Sequence, residues 1–291
     1  AHELGTDPGA TRALLDALVG FELVTLDDDL CYRATPTSAR LGAGGDLRKI
    51  VEKEAFFARV WLDLADSVAT GRPVLGPWRL RLAADPDQAR RFLEALVVLA
   101  AETGPDLVEV SGAEAGTTVA DLGGGLGAYA MALAAAGAAV TLVDLEPVTT
   151  WARAHIDRFA EATVADRVDV RAVDLLAPEA TSAVGTGFDV VLVSHLLHDL
   201  DDADALAVLV VARQLLAPDG QLVVFELPSD PPGAFGPMFD LMMRVETPGA
   251  ARRIDELHEL VVAAGFADVS EPTGTVRPHG ILTGRLRAPG G

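Results

Sequence analysis

The chain has 291 residues, with 23 Lys and Arg against 43 Asp and Glu, for a formal charge of −20. At roughly 150 residues per domain this predicts two domains with a sizeable core, and a half-apolar composition is that of a globular protein. The acidic balance argues against a nonspecific nucleic-acid binder and an anionic membrane surface, which both need clustered Lys and Arg. No apolar run approaches the ~18 residues of a membrane span. The single cysteine, Cys31, excludes a disulfide framework or multi-Cys metal site within the chain and reads as a small buried or half-buried residue. The start, Ala1 to Leu4, has neither a basic nor an apolar targeting region, so a cytoplasmic protein is expected.

Residues 1–107 carry −5 and residues 108–291 carry −15, and the two stretches differ in rhythm. Pro8 to Val19 has helical spacing, with Thr6 or Asp7 as cap and Pro8 in the first turn. Phe21–Thr25 and Cys31–Ala34 read as short strands around an Asp27–Asp29 turn. With the helix after Thr35-Pro36 they make a small winged-helix unit. Its recognition-helix region, Thr11 to Gly20, holds one Arg and one Asp, and its wing is acidic, which favours a structural or dimerising role over DNA binding. Phe56, Phe57, Trp61 and Leu64 share a helical face, either core or substrate wall. Gly71–Trp78 reads as a loop and Asp87–Val98 as a helix.

From residue 108 onward, apolar runs alternate with helices. The strands are Thr117–Leu122, Ala139–Val143, Val168–Val173, Phe188–Val193 and Gln221–Leu227. Between them lie helices Ala128–Ala136, Val148–Ala162 and Ala203–Leu216, which predicts an α/β domain with a parallel sheet buried on both faces. Helices Phe235–Val245 and Ile254–Ala264 follow. Ala267–Glu271 and Gly280–Arg287 then come without a helix between them, which predicts an antiparallel pair at the sheet edge.

Asp121-Leu-Gly123-Gly124-Gly125-Leu-Gly127 lies between a strand and a helix. Glycines there let the backbone approach a ligand at the helix N-terminus, although a tight turn alone would also use them. Gly123-x-Gly125-x-x-Ala128 also fits the relaxed dinucleotide pattern. A carboxylate at Asp121 would repel a pyrophosphate but suits a cationic amino group or sulfonium. Asp144 ends the next strand 23 residues later and can accept two ribose hydroxyls. Asp174 ends the third, where it can accept an adenine amino proton while Leu175 lies on the ring. Any one of these carboxylates alone reads as a loop cap. Their recurrence at strand ends, where open α/β sheets bind ligands, makes a joint cofactor reading.

Val119-Ala-Asp-Leu-Gly-Gly-Gly-Leu-Gly127, Val143-Asp-Leu-Glu-Pro147, Asp174-Leu175, His195-Leu-Leu-His-Asp-Leu-Asp-Asp202, Leu216-Ala-Pro-Asp-Gly220 and Val224-Phe-Glu226 follow one another in order. The chain thereby resembles, over essentially its whole length, the S-adenosylmethionine-dependent O-methyltransferases of the plant caffeate and bacterial polyketide-tailoring type. The resemblance implies a Rossmann-like seven-stranded sheet, with an S-adenosylmethionine-binding catalytic domain at 108–291. It also implies a helical winged-helix dimerisation and substrate-lid domain at 1–107, preceded by a further segment before Ala1, and a homodimer. The implied cofactor residues are Asp121, Gly123, Gly125, Asp144, Leu145, Asp174, Leu175 and Ser194, with S-adenosylhomocysteine as product. His198 is implied as the base, since imidazole near pKa 6.5 can take a proton from a phenol near 10, and Glu226 as the group that fixes its tautomer. Asp199 either caps a helix or points at substrate. His195 reads as core or cofactor-adjacent, Asp201 and Asp204 as caps, and His2, His155, His258 and His279 as surface or packing residues. Met243 is implied to clamp an aromatic acceptor, with Met242, Phe239, Asp240 and Phe57 as weaker acceptor-pocket candidates; methionines also simply fill gaps in cores.

One departure stands out. The family's Gly-Gly-x-Glu-Arg-Thr-like segment reads here as Pro248-Gly-Ala-Ala-Arg-Arg253, which puts Ala251 where a second glutamate touches the base. No histidine stands near Ala251, so no metal is expected. Ala251 keeps open a relative that binds the cofactor for N- or C-methylation, or for a hydroxylation or pericyclic step. A winged-helix regulator and a nicotinamide enzyme are the more distant readings. The excess of Ala, and of Arg over Lys, points to a high-GC bacterial source and tailoring of a secondary metabolite.

Overall fold

The computed structural model describes residues 1–230, 233–272 and 280–286, with the side chains of all but 102–105. Two compact units result, Ala1–Phe56 and Phe57–Gly291. The division expected after residue 107 falls inside a 26-residue helix, Pro86–Ser111, which is far longer than the Asp87–Val98 segment read from the sequence. Its helical spacing runs on until Gly112, which takes the left-handed conformation that ends it.

In the first unit, helix α1 (Pro8–Gly20) starts on Asp7, whose side chain accepts from the Ala10 amide at 2.8 Å. Strands β1 (Val24–Leu26) and β2 (Tyr32–Ala34) pair antiparallel. Asp27 closes the turn between them by accepting from the Cys31 and Asp29 amides. Cys31 is therefore held in an exposed turn, contrary to the buried or half-buried position expected. Helices α2 (Pro36–Leu41) and α3 (Arg48–Val60) follow, the first on a Thr35–Ser38 capping box.

The second unit continues with α4 (Leu64–Thr70), α5 (Trp78–Ala84), α6 (Pro86–Ser111), β3 (Thr118–Leu122), α7 (Ala128–Ala135), β4 (Ala139–Asp144) and α8 (Val148–Phe159). Next come α9 (Ala162–Ala165), β5 (Val168–Ala172), α10 (Ala180–Val184), β6 (Phe188–Ser194), α11 (Asp202–Leu215) and β7 (Leu216–Glu226). The last elements are α12 (Phe235–Glu246), α13 (Ile254–Ala263), β8 (Phe266–Ser270) and β9 (Gly280–Leu286). The helix expected over Val148–Ala162 stops at Phe159, because Ala160 is extended. His279 lies outside the described residues.

The seven strands run in the order β5-β4-β3-β6-β7-β9-β8. The first five are parallel and the last two antiparallel, as the pattern of runs predicts. Alternate side chains feed two cores. Ala120, Leu122, Val191, Val193, Leu222 and Val224 face α11 and α13. Val119, Leu142, Val190, Leu192, Val223 and Phe225 face α7 and α8. This two-sided burial is why the strands read as near-continuous apolar runs. Strand order reverses beside β3, so a crevice opens at the carboxyl ends of β3, β4 and β6. Among the described residues no helix is long and apolar enough to cross a membrane.

The loop between α12 and α13 presses its backbone on the turn after β6. A Cβ at Gly249 would lie 2.1 Å from the His198 carbonyl oxygen and 2.8 Å from the Asp199 carbonyl carbon. Because backbone cannot swing aside, Gly249→Ala is expected to cost about 1–3 kcal/mol of stability and to displace the His198 turn. Thermal unfolding of the variant against the parent protein measures this.

Candidate active site

The crevice at the strand ends begins with the glycine loop. Gly123, Gly125 and Gly127 have φ of 71°, 56° and 85°, the left-handed region that glycine enters without strain. The Gly123 and Gly124 amides both donate to the Val143 carbonyl. A Cβ at Gly124 would lie 2.7 Å from Asp121 Oδ2 and 2.8 Å from Leu142, so the loop is pressed onto the carboxylate at the end of β3. Asp144, at the end of β4, accepts from the Gly125 amide at 2.8 Å and from the Leu145 amide at 2.7 Å.

Asp121 has no such help. It is fully buried, and among the described residues neither carboxylate oxygen has a hydrogen-bond partner. Burial, with the nearby charge of Asp144, pushes its pKa up to about 7. Burial also raises Asp144, to about 6, against the lowering effect of its two amide donors. A buried carboxylate without a donor calls for an explanation, and a cation-bearing ligand supplies one. Asp174 follows β5 and is gripped on both oxygens by the Arg79 guanidinium. Leu175 is buried in the sheet core, and Ser194 is buried at the end of β6.

The turn after β6 carries the second cluster. His195 takes a left-handed φ of 49° and packs on Phe225, with ring centroids 4.6 Å apart. His198 donates through Nδ1 to Glu226 Oε2 at 2.5 Å, while Glu226 Oε1 accepts from the Leu196 and Leu197 amides at 3.0 and 2.7 Å. Burial alone would lower His198. The Glu226 carboxylate, with the charges of Asp199 and Glu246, overrides it and raises the imidazole to about 9. Burial likewise favours a neutral Glu226, but the His198 charge and hydrogen bond hold it below the usual range. With Nδ1 engaged, Nε2 is the nitrogen left for a ligand. His195, His198 and Glu226 come close enough to hold a metal ion, yet both Glu226 oxygens already accept hydrogen bonds, which suits holding a proton better than ligating a metal.

One face of α12 covers His198. Phe239 meets the imidazole edge-on at 5.2 Å and clusters with Met243, Ala251 and the half-buried Met242. Asp240 pairs with Arg244 through Oδ2, and its Oδ1 is buried without a partner. Met238 is half exposed and lies outside the cluster. Phe57 is buried edge-on against Phe92, away from solvent. Asp199 is half-buried and caps no helix; Asp201 caps α11 by accepting from the Asp204 amide. Burial raises Asp199, and the His198 and Arg81 charges oppose that.

Two charged residues of this cluster escape sequence reasoning. Glu246, one turn beyond Met243, is 2% exposed, and Arg81 of α5 is 8% exposed. The Arg81 guanidinium stands 5.0 Å over the Trp78 ring and 3.9 Å from Glu246, with Nη2 buried and without a partner. The available clue was a charge on an apolar stripe: Glu246 falls in helical register with Phe239 and Met243.

The family model of the O-methyltransferase domain matches residues 61–267. The chain belongs to the S-adenosylmethionine-dependent O-methyltransferase family. It is 28% identical to phenazine-1-carboxylate N-methyltransferase of Pseudomonas aeruginosa, over 92% of this chain and 80% of that protein. It is 35% identical to aclacinomycin 10-hydroxylase RdmB of Streptomyces purpurascens, over 74% of this chain and 62% of that protein. An O-methyltransferase family protein from Burkholderia thailandensis superposes with a TM-score of 0.84 at 25% identity, covering 98% of this chain and 86% of that one. The residues present fit the family's cofactor: Gly123, Gly125 and Gly127 hold left-handed backbone in the loop, and Asp121 offers a carboxylate without a hydrogen-bond partner among the described residues.

The Asp121 charge has a measurable cost. In the unfolded chain it ionises near 3.8, whereas the fold keeps it protonated up to about 7. The folded state therefore loses stability as pH rises through that window. Unliganded Asp121→Asn is expected to be more stable than the parent at pH 8, by up to about 4 kcal/mol, and so to unfold at a higher temperature. The advantage should vanish near pH 4, and S-adenosylhomocysteine should bind more weakly at both pH values. Calorimetry of the two proteins reads both effects.

Proposed function

We propose that this methyltransferase acts on a hydroxyl of a small aromatic or polyketide-like acceptor, with His198 as general base and Glu226 orienting it. The observation that carries this reading is the His198–Glu226 pair, set at the strand ends beneath the Phe239–Met243 face of α12. S-Adenosylmethionine supplies a methyl group on a sulfonium, open to in-line displacement. The chain's own residues bind, orient and move a proton. Asp121 would face the cofactor's cationic end, Asp144 the ribose hydroxyls and Asp174 the adenine amino group; the free Nη2 of Arg81 suits its carboxylate. Met243 and Phe239 would hold the acceptor ring, with Met242 and Asp240 as outer contacts; Phe57, buried against Phe92, is left out of this set. His198 Nε2 would take the acceptor proton as the oxygen attacks, and Glu226 and Asp199 would stabilise the imidazolium. No metal enters this scheme.

We further place the enzyme in the cytoplasm as a homodimer through its first domain, residues 1–107. The exposed apolar residues Leu14, Phe21 and Leu30 of the first unit support this pairing. A second reading, a cofactor-binding relative that does not transfer methyl to oxygen, draws on Ala251, which is buried where a second carboxylate was expected. The N-methyltransferase and hydroxylase names of the two relatives favour it as the alternative. Mass spectrometry of the reaction with the true acceptor separates the two: S-adenosylhomocysteine together with an O-methylated product supports the first reading, and an N- or C-methylated product, or no S-adenosylhomocysteine, supports the second.

His198→Ala is expected to lower turnover on a hydroxylated aromatic by roughly 10²–10⁴-fold, and unchanged turnover would place the base elsewhere. A base must be deprotonated to act, so kcat/KM should climb with pH and level off only above about 9, the value set for His198. In Glu226→Gln the largest charge raising that value is gone, and the acid limb should move down toward the ordinary 6.5. A pH–rate profile of parent and variant shows whether the limb moves.

A further inference from the structure

Asp174 is held by a residue from outside the sheet. Arg79, on α5, donates through Nη1 to Oδ2 and through Nη2 to Oδ1, the latter at 2.8 Å. The Leu176 amide donates to Oδ1 at 3.0 Å. An ionised carboxylate offers about two acceptor positions on each oxygen. Oδ1 is thus filled, while Oδ2 carries one donor and keeps one position open. The Asp174 side chain is 33% exposed, so a ligand can reach that position.

We propose that Arg79 is a positioning residue for cofactor selection: its fork fixes the plane of Asp174 so that the open position on Oδ2 accepts a hydrogen from the exocyclic amino group of adenine. The inference rests on the reading of Asp174 as the carboxylate that faces the adenine. A planar guanidinium paired on both oxygens holds a carboxylate in one orientation, which a single donor or a Lys ammonium does not. The pairing also keeps Asp174 ionised, since the Arg79 hydrogen bond holds its carboxyl below the usual range. An ionised carboxylate only accepts. A purine with a carbonyl in place of the amino group would therefore set acceptor against acceptor and be rejected. Helix α5 is itself fixed beside the cofactor loops, because Trp78 packs with Leu145 and Val148. The Arg79 side chain is 51% exposed, and a half-exposed pair contributes little to stability, so its loss leaves the fold standing.

Calorimetric titration with S-adenosylhomocysteine and with S-inosylhomocysteine, in which a carbonyl replaces the amino group, tests this in the parent, Arg79→Met, Arg79→Lys and Asp174→Ala proteins. The parent should prefer the adenosyl ligand by about tenfold or more. Arg79→Met and Asp174→Ala should bind the two within about threefold, through loss of adenosyl affinity alone, and Arg79→Lys should fall between, which a misfolded variant cannot do. Arg79→Met that keeps the full preference, or that weakens both ligands equally, overturns the proposal while leaving the Asp174 reading intact. A parent that binds both equally overturns the Asp174 reading and the proposal with it. A parent that binds neither overturns the cofactor assignment on which both stand.

Discussion

The catalytic half of this molecule is organised by one buried carboxylate. Glu226 is 2% exposed and accepts from the Leu196 amide, the Leu197 amide and His198 Nδ1. A charge so placed would be costly without donors, and three convergent donors make it tolerable. The parallel pairing of β6 with β7 is what delivers them. Ser194 lies opposite Phe225, and the His195 amide donates to the Phe225 carbonyl, so the chain leaving β6 turns directly over the end of β7. Backbone course, ring orientation and proton affinity of His198 all follow from that register. The edge contact of Phe239 and the close seat of Gly249 then fix the far side of the same turn.

The cofactor half works by the opposite principle. There two carboxylates are short of donors: among the described residues Asp121 has none, and Asp144 has only two backbone amides for a charge that burial disfavours, while Asp174 is gripped by Arg79. Such a site is destabilising when it stands alone, and under the proposed function the ligand's cation and hydroxyls would complete it. Natural folds commonly carry this kind of local instability where they bind. The −15 of residues 108–291 is thus partly a property of the site rather than of the solvated surface.

The alternation of strands and helices, the antiparallel last pair and the helix caps at Asp7 and Asp201 were readable because each rests on local pattern: period, punctuation and capping chemistry. The Glu226–His198 contact was readable only through neighbouring strand ends and the family resemblance, since 28 residues separate the partners. Four things were not legible. Arg79 reaches Asp174 across 95 residues, a contact without local trace. Glu246 and Arg81 are buried charges that an apolar-periodicity argument assigns to a solvated face. The length of α6 was missed because composition near residues 99–111 does not mark an end, and Cys31 was misplaced because turn geometry, not residue type, decided its exposure. Ala251 clusters with Phe239 and Met243 as an ordinary small apolar residue.

The placement of β9 bears on how the enzyme is made. It is the last described strand, yet it pairs along β7 from Gln221–Arg285 to Glu226–Gly280 and separates β7 from the sheet's margin. On a ribosome, β3 to β7 emerge first, and until β9 follows, the strand ending in Glu226 is an open edge with Val223 and Phe225 uncovered by Ile281. Exposed edges of that kind recruit foreign strands. The strand that ends in Glu226 is therefore closed in only after α12, α13 and β8 have also been made.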